Sequence, residues 1–190
     1  MTATSFEIET PRLRLRPCTM ADVDALHRLW TDPQVRKFLW DDVEIARDQA
    51  ASAVQSSIEC FGSHGFGYWV VLTAEEGSLS PIGFCGLRFF GEPPGEIELL
   101  YGIAPPYWGR GLATEAAEAL LRFGFEECGF ERVYAGADPP NKGSLRVIEK
   151  LGMAFDRSTR INGREAIYHV ISREALDPEG PPRTRSENGP

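Results

Sequence analysis

The sequence predicts one mixed α+β domain, in which helices pack on a central sheet and a helix links two neighbouring strands. Three observations predict it. Short runs such as RLRLRP, YWVVLT and RVYAGAD are alternating or continuously apolar over strand lengths. Longer runs such as TEAAEALLRFGFEEC repeat apolar residues at helical spacing. The two kinds interleave without internal repeats, in the order strand, two helices, three strands, helix, strand, helix, strand.

The first five residues read as a flexible lead, and RLRLRP follows as a strand ending at Pro17. Its arginines, Arg12, Arg14 and Arg16, share a face and read as the solvated side of an edge strand. Thr19 is placed to cap a helix with Asp22 and Asp24 in its first turn; Val23, Leu26 and Trp30 form its stripe, and Asp32-Pro33 ends it. VEIARDQAASAVQSSIECF, 43–61, is a second helix, closed by the glycine-rich GSHGFG. YWVVLT and PIGFCGLRFF are strands joined by AEEGSLS, and GEPPGE turns the chain into the apolar strand EIELLYGI. APPYWGRG ends that strand, and TEAAEALLRFGFEEC is apolar over most of its circumference, as a helix buried against a sheet must be. RVYAGAD is a buried strand, NKGSLRVIEKLG a short helix with Gly152 as its C-terminal glycine, and GREAIYHVI the last strand. The expected domain covers 6–174. The Pro-, Gly- and polar-rich stretch 175–190 has no apolar anchor and is expected to be disordered.

With 190 residues and 42% hydrophobic content, the chain can bury a substantial core. No run approaches the roughly 20 apolar residues of a membrane span, and the opening stretch has no signal-peptide apolar core. Cys18, Cys60, Cys85 and Cys128 lie far apart in sequence and form no C-x-x-C pair, so neither a disulfide framework nor a metal site is expected. His27, His64 and His169 show no metal-ligand spacing. A reducing, cytoplasmic setting follows as the expectation. The net charge of −8 argues against a nucleic-acid binder and favours a cationic partner such as a protonated amine.

The functional signal is YWGRGLATEAAEAL, a glycine pair directly before a helix. Helix N-termini carry unpaired N–H groups and partial positive charge, and glycines let a phosphate approach them. A Walker loop needs a Gly-Lys-Ser/Thr ending that is missing here. A dinucleotide fingerprint matches at Gly109 and Gly111 but fails at Thr114. A coenzyme A pyrophosphate loop and a plain tight turn are the readings that remain.

Three stretches then make the chain resemble the GNAT superfamily of N-acetyltransferases, and within it the Rim-type, ribosomal-protein-acetylating subgroup. They are TPRLRLRPCTMADVDALHRLWTDPQV, IELLYGIAPPYWGRGLATEA and NKGSLRVIEKLGM, in the family's order, and the resemblance spans about residues 6 to 174. It implies a mostly antiparallel sheet of six to seven strands, flanked by helices, with one splayed parallel pair. It implies acetyl-CoA as co-substrate, no metal, and no membrane or nucleic-acid partner. The acceptor would be a primary amine on a peptide N-terminus or a small molecule, and the protein a monomer or homodimer. The loop pattern falls on Trp108 through Ala113, with Trp108 where the family usually has Gln or Arg, a replacement common in the Rim-like subgroup. The amides of Gly109, Arg110, Gly111, Leu112, Ala113 and Thr114 would hold the pyrophosphate, with charge from Arg110. Backbone groups at Ile103 and Ala104 would hold the pantetheine arm and acetyl carbonyl, and Asn141 would touch the cofactor.

Amine acetylation needs a base for the amine and a proton for the leaving thiolate. Glu98 interrupts the apolar run Ile97-Glu98-Leu99-Leu100-Tyr101, which suits a desolvated base acting through water; the alternative is a structural ion pair with Arg88. The tyrosine that the family often uses as acid falls on Ile148. Ser144, in the family's N-x-x-S pattern, is the substitute, and a helix cap is its alternative role. Tyr101 and Tyr107 read first as packing residues, as do Trp40 and Phe38, although the last two sit where the family shapes its acceptor pocket. The expected activity is direct acetyl transfer in a ternary complex. A non-catalytic acyl-CoA-binding regulator is the alternative that the missing tyrosine leaves open.

Overall fold

The computed structural model describes residues 6–75, 80–91, 95–161 and 163–176. The chain runs β1 (Ile8–Glu9), β2 (Leu13–Pro17), α1 (Val23–Thr31), α2 (Pro33–Arg36), α3 (Arg47–His64), β3 (Tyr68–Thr73), β4 (Gly83–Phe90), β5 (Glu96–Ile103), α4 (Leu112–Glu126), β6 (Arg132–Ala137), α5 (Lys142–Lys150), β7 (Ala154–Ile161), β8 (Arg164–Ser172) and α6 (Arg173–Leu176). The strands form one sheet of eight in the order β1-β2-β3-β4-β5-β6-β8-β7. Every pairing is antiparallel except β5 with β6.

Alternation along the strands divides the core in two. Trp69 and Val71, Cys85 and Leu87, Ile97 and Leu99 face α4, where Leu120, Leu121 and Phe125 meet them. Val70 and Phe84 face the other way, onto Val23, Leu26 and Trp30 of α1 and Ala50 and Val54 of α3. Side chains this large and this buried each contribute about 1.5–3 kcal/mol, so the central strands are clamped from both faces.

Several boundaries differ from the sequence expectation. The second helix begins at Arg47 rather than Val43, because Ile45 turns into the α1–α3 core while Val43 is exposed. It runs on to His64 and stops at Gly65, whose φ of 80° is left-handed. Asp32 ends α1 but also starts α2, accepting from the N–H of Gln34 at 2.9 Å with Pro33 in the first position. The sheet gains two strands, β1 and β7. β7 is an edge strand of mostly exposed residues, Phe155 at 66% among them, so no apolar alternation marked it. β2 is not an edge. It lies between β1 and β3, Arg16 grips the buried Asp22 through both terminal guanidinium nitrogens at 2.7 and 2.8 Å, and Arg12 is bonded to α4. Residues 175 and 176 belong to α6, while 1–5 and 177–190 lie outside the described residues, as do parts of both expected turns.

Candidate active site

β4 and β5 are registered over eight residue pairs, Gly83 with Ile103 through Phe90 with Glu96. β5 and β6 share only one, Glu98 with Tyr134. Beyond Glu98 the two parallel strands part. Antiparallel ladders alternate, and the N–H of Ala104 donates to the carbonyl of Ile82 at 2.8 Å. The backbone groups of Tyr101 and Ile103 therefore face the gap toward β6. A cavity of about 760 Å³ lies at this opening. It is bounded by the C-terminal end of β5, the turn before α4, one side of α5, and residues 34–39 after α1.

The turn before α4 is built for close approach. Gly109 and Gly111 have φ of 75° and 76°, the left-handed region that glycine enters without strain. Gly109, Gly111, Leu112, Ala113 and Thr114 line the cavity. The N-terminus of α4, begun by Gly111, thus borders the cavity, and the N–H groups that a helix leaves unpaired at its start suit an anion there. The Trp108 indole N–H donates to the carbonyl of Ile103 at 2.5 Å, fastening the turn onto the strand end. This gives the tryptophan in the loop pattern a structural task. From outside, Glu115 in the first turn of α4 accepts from the Thr10 hydroxyl at 2.6 Å and from Arg12 Nε at 2.6 Å, while Arg12 Nη1 reaches the Arg110 carbonyl at 2.8 Å. Burial alone would push the Glu115 carboxyl up, but these bonds hold it below the ordinary value.

The other expected site residues fall as follows. Ile103 lines the cavity. Ala104 has both backbone groups engaged elsewhere, its N–H with Ile82 and its carbonyl with Tyr107. The Arg110 guanidinium stacks over the Tyr107 ring at 5.7 Å and does not line the cavity. Asn141 lines the cavity but directs Oδ1 to the Ser144 N–H at 3.1 Å, so Asn141 is the cap of α5 and Ser144 sits one turn inside it. Phe38 lines the cavity; Trp40 instead packs on Trp30 with ring centroids 5.7 Å apart.

Two proton-bearing clusters flank the opening. Tyr101 is more than a packing residue: its hydroxyl lies 2.7 Å from Ser144 Oγ and donates to the Ser144 carbonyl at 3.1 Å, and both residues line the cavity. Burial raises the Tyr101 pKa well above the usual phenol value, only partly offset by Ser144. On the opposite face of β5, Glu98 is buried at 3% exposure and takes Arg88 Nε at 2.8 Å and Nη2 at 2.6 Å, both on Oε2. The Tyr168 hydroxyl lies against the same carboxylate; burial, and then that anion, raise its pKa. Glu98 does not itself line the cavity. The structure thus brings Ile103, the glycine turn, Asn141 and Ser144 around one space and sets Glu98 behind the strand that borders it.

A parallel strand pair that opens beside a glycine-edged helix N-terminus forms a cleft suited to an extended, anionic ligand. The chain belongs to the GNAT family: the acetyltransferase (GNAT) domain matches residues 12–154. It is 32% identical to the uncharacterized N-acetyltransferase YnaD of Bacillus subtilis over 148 residues, 78% of this chain and 82% of that one. A GNAT-family acetyltransferase from Bacillus anthracis superposes with a TM-score of 0.74 at 25% identity, covering 89% of this chain and 99% of that one. The fold is shared too by a ribosomal L7/L12 alpha-N-protein acetyltransferase in complex with coenzyme A, with a TM-score of 0.74, 16% identity, and coverage of 89% and 99%. This protein is accordingly an N-acetyltransferase of a family that uses acetyl-CoA. No described helix is long and apolar enough to cross a membrane.

Proposed function

We propose that the protein transfers an acetyl group from acetyl-CoA to a primary amine by direct attack, with both substrates bound at the opening between β5 and β6. The observation that carries this reading is the parting of those strands after one registered pair, directly beside the α4 N-terminus. The backbone groups of Tyr101 and the N–H of Ile103 face the gap and suit an extended amide-bearing arm, the Ile103 carbonyl being taken by the Trp108 indole; the amides from Gly109 to Thr114 suit a pyrophosphate. Acetyl-CoA supplies an activated acyl group held as a thioester. The Ile103 N–H is placed to stabilise negative charge developing on a carbonyl oxygen in the gap. Holding both reactants at one strand end supplies much of the acceleration by proximity.

Protons are handled on the two faces of β5. Glu98 serves the amine, through a water, from the face of Tyr168 and Arg88. Both Arg88 contacts fall on Oε2, so Oε1 is not engaged by the guanidinium. Ser144, backed by Tyr101, supplies the proton at the leaving sulfur. Acceptors in keeping with this reading are peptide N-termini, including those of ribosomal proteins, and small amines. The similarity to the L7/L12 acetyltransferase supports the peptide class.

Glu98→Gln tests the assignment of the base. It is expected to lower kcat by about 10²-fold with KM for acetyl-CoA little changed. A variant that loses stability but keeps its turnover would show that Glu98 is only the ion-pair partner of Arg88.

A further inference from the structure

The chain carries 28 acidic against 20 basic residues, yet no Asp or Glu lines the cavity. Four cations do: Lys37, Lys142, Arg146 and Lys150. The last three recur at intervals of four along α5, so they occupy one face of the helix. At 1.5 Å per residue, that row extends for about 12 Å. All three are exposed, and none makes an ion pair or hydrogen bond through its side chain among the described residues. Arg12, Arg16, Arg36, Arg47, Arg88, Arg122, Arg157 and Arg164 are all paired with carboxylates. Glu149, the one acidic residue of α5, does not line the cavity.

Arg14, Arg28, Arg132 and Arg160 make no ion pair among the described residues either, but they lie away from the cavity. Three unpaired cations aligned on one wall of a cavity whose lining holds no carboxylate call for an anionic ligand. The glycine turn offers backbone amides, which suit the pyrophosphate, but little side-chain charge, because Arg110 is stacked on Tyr107. A phosphate monoester is different. Near neutral pH it carries about −1.5 to −2 charges and three acceptor oxygens, and flexible ammonium groups meet it as point charges.

We propose that Lys142, Arg146 and Lys150 form a recognition rail for the ribose 3′-phosphate of coenzyme A, through which this enzyme selects the 3′-phosphorylated cofactor over its dephospho form. The proposal rests on the coenzyme A reading above and assigns these side chains to the cofactor's nucleotide end. The pyrophosphate stays on the α4 turn, so the rail's effect depends on the 3′-phosphate alone.

The test is direct binding of coenzyme A and 3′-dephospho-coenzyme A by titration calorimetry, with no acceptor present. Wild-type protein is expected to prefer coenzyme A by about tenfold or more at low ionic strength, and salt should erode the preference. In the triple variant Lys142→Gln/Arg146→Gln/Lys150→Gln the preference should fall to about unity, mostly through weaker binding of coenzyme A. Because all three residues are exposed, the variant should keep its fold, checked by its melting transition. Equal affinity of the wild type for both ligands overturns the rail and leaves the coenzyme A reading intact. So does a preference that survives in the variant, or a parallel loss for both ligands, which would place the rail on the pyrophosphate. Failure of the wild type to bind either ligand overturns the coenzyme A reading, and the rail with it.

Discussion

The hydroxyls of Tyr101 and Ser144 meet across 43 residues of chain, one from the end of β5 and one from the first turn of α5. Burial keeps the phenol protonated well beyond neutral pH, so it can hold the serine hydroxyl in one orientation without titrating in the working range. If the pair acts as one unit at the leaving sulfur, Tyr101→Phe should lower kcat by about tenfold while leaving KM for acetyl-CoA nearly unchanged. Adding Ser144→Ala should then cost little more, because the two residues serve one step. Additive losses in the double variant would separate them. Ser144 could be found from its N-x-x-S setting, but Tyr101 could not. An aromatic residue in an apolar strand looks like packing, and only the approach of α5 gives its hydroxyl a partner.

At the scale of elements, the turn 108–111 is held from both sides, by the Trp108 indole on the Ile103 carbonyl and by the Thr10–Arg12–Glu115 clasp. The clasp spans more than 100 residues of sequence, so it had no local signal. The glycine turn and the apolar run of β5 did, because backbone freedom and burial are written in adjacent residues. Arg12→Ala should raise KM for acetyl-CoA about three- to tenfold with kcat little changed, the scale of a partly exposed ion pair plus one loop hydrogen bond. The clasp also sets a pH dependence. Glu115 titrates below its ordinary value in the folded chain, so its contribution is fully present above the unfolded value, near pH 4.5, and is lost as pH falls through the lowered folded value. KM for acetyl-CoA should therefore rise on acidification in the wild type and respond less in Glu115→Gln; equal responses would assign the effect elsewhere. Edges were the hard elements to read. β7 has few buried side chains and pairs only with β8, so tertiary pairing rather than pattern makes it a strand.

For the whole molecule, the proposed reaction rests on one interruption in an otherwise continuous sheet. Cores on both faces fix β4 and β5 firmly. β6 is held on its far side by β8 over six registered pairs, while it meets β5 at one. The gap is therefore a fixed feature of a rigid frame, with α4 and α5 presenting their N-termini beside it and residues 34–39 closing the opposite side. The order of the central elements and the glycine turn before α4 could be read from sequence. The identity of the acceptor could not, since it depends on side chains that four separated segments bring together. The central claim is acetyl transfer to an amine, and the most direct measurement is thiol release from acetyl-CoA by the purified protein, with and without a panel of N-terminal peptides and small amines. The account predicts release that depends on the amine and yields an acetylated acceptor detectable by mass spectrometry. Tight binding of acetyl-CoA with no amine-dependent release across the panel would contradict it and identify a binding protein without turnover.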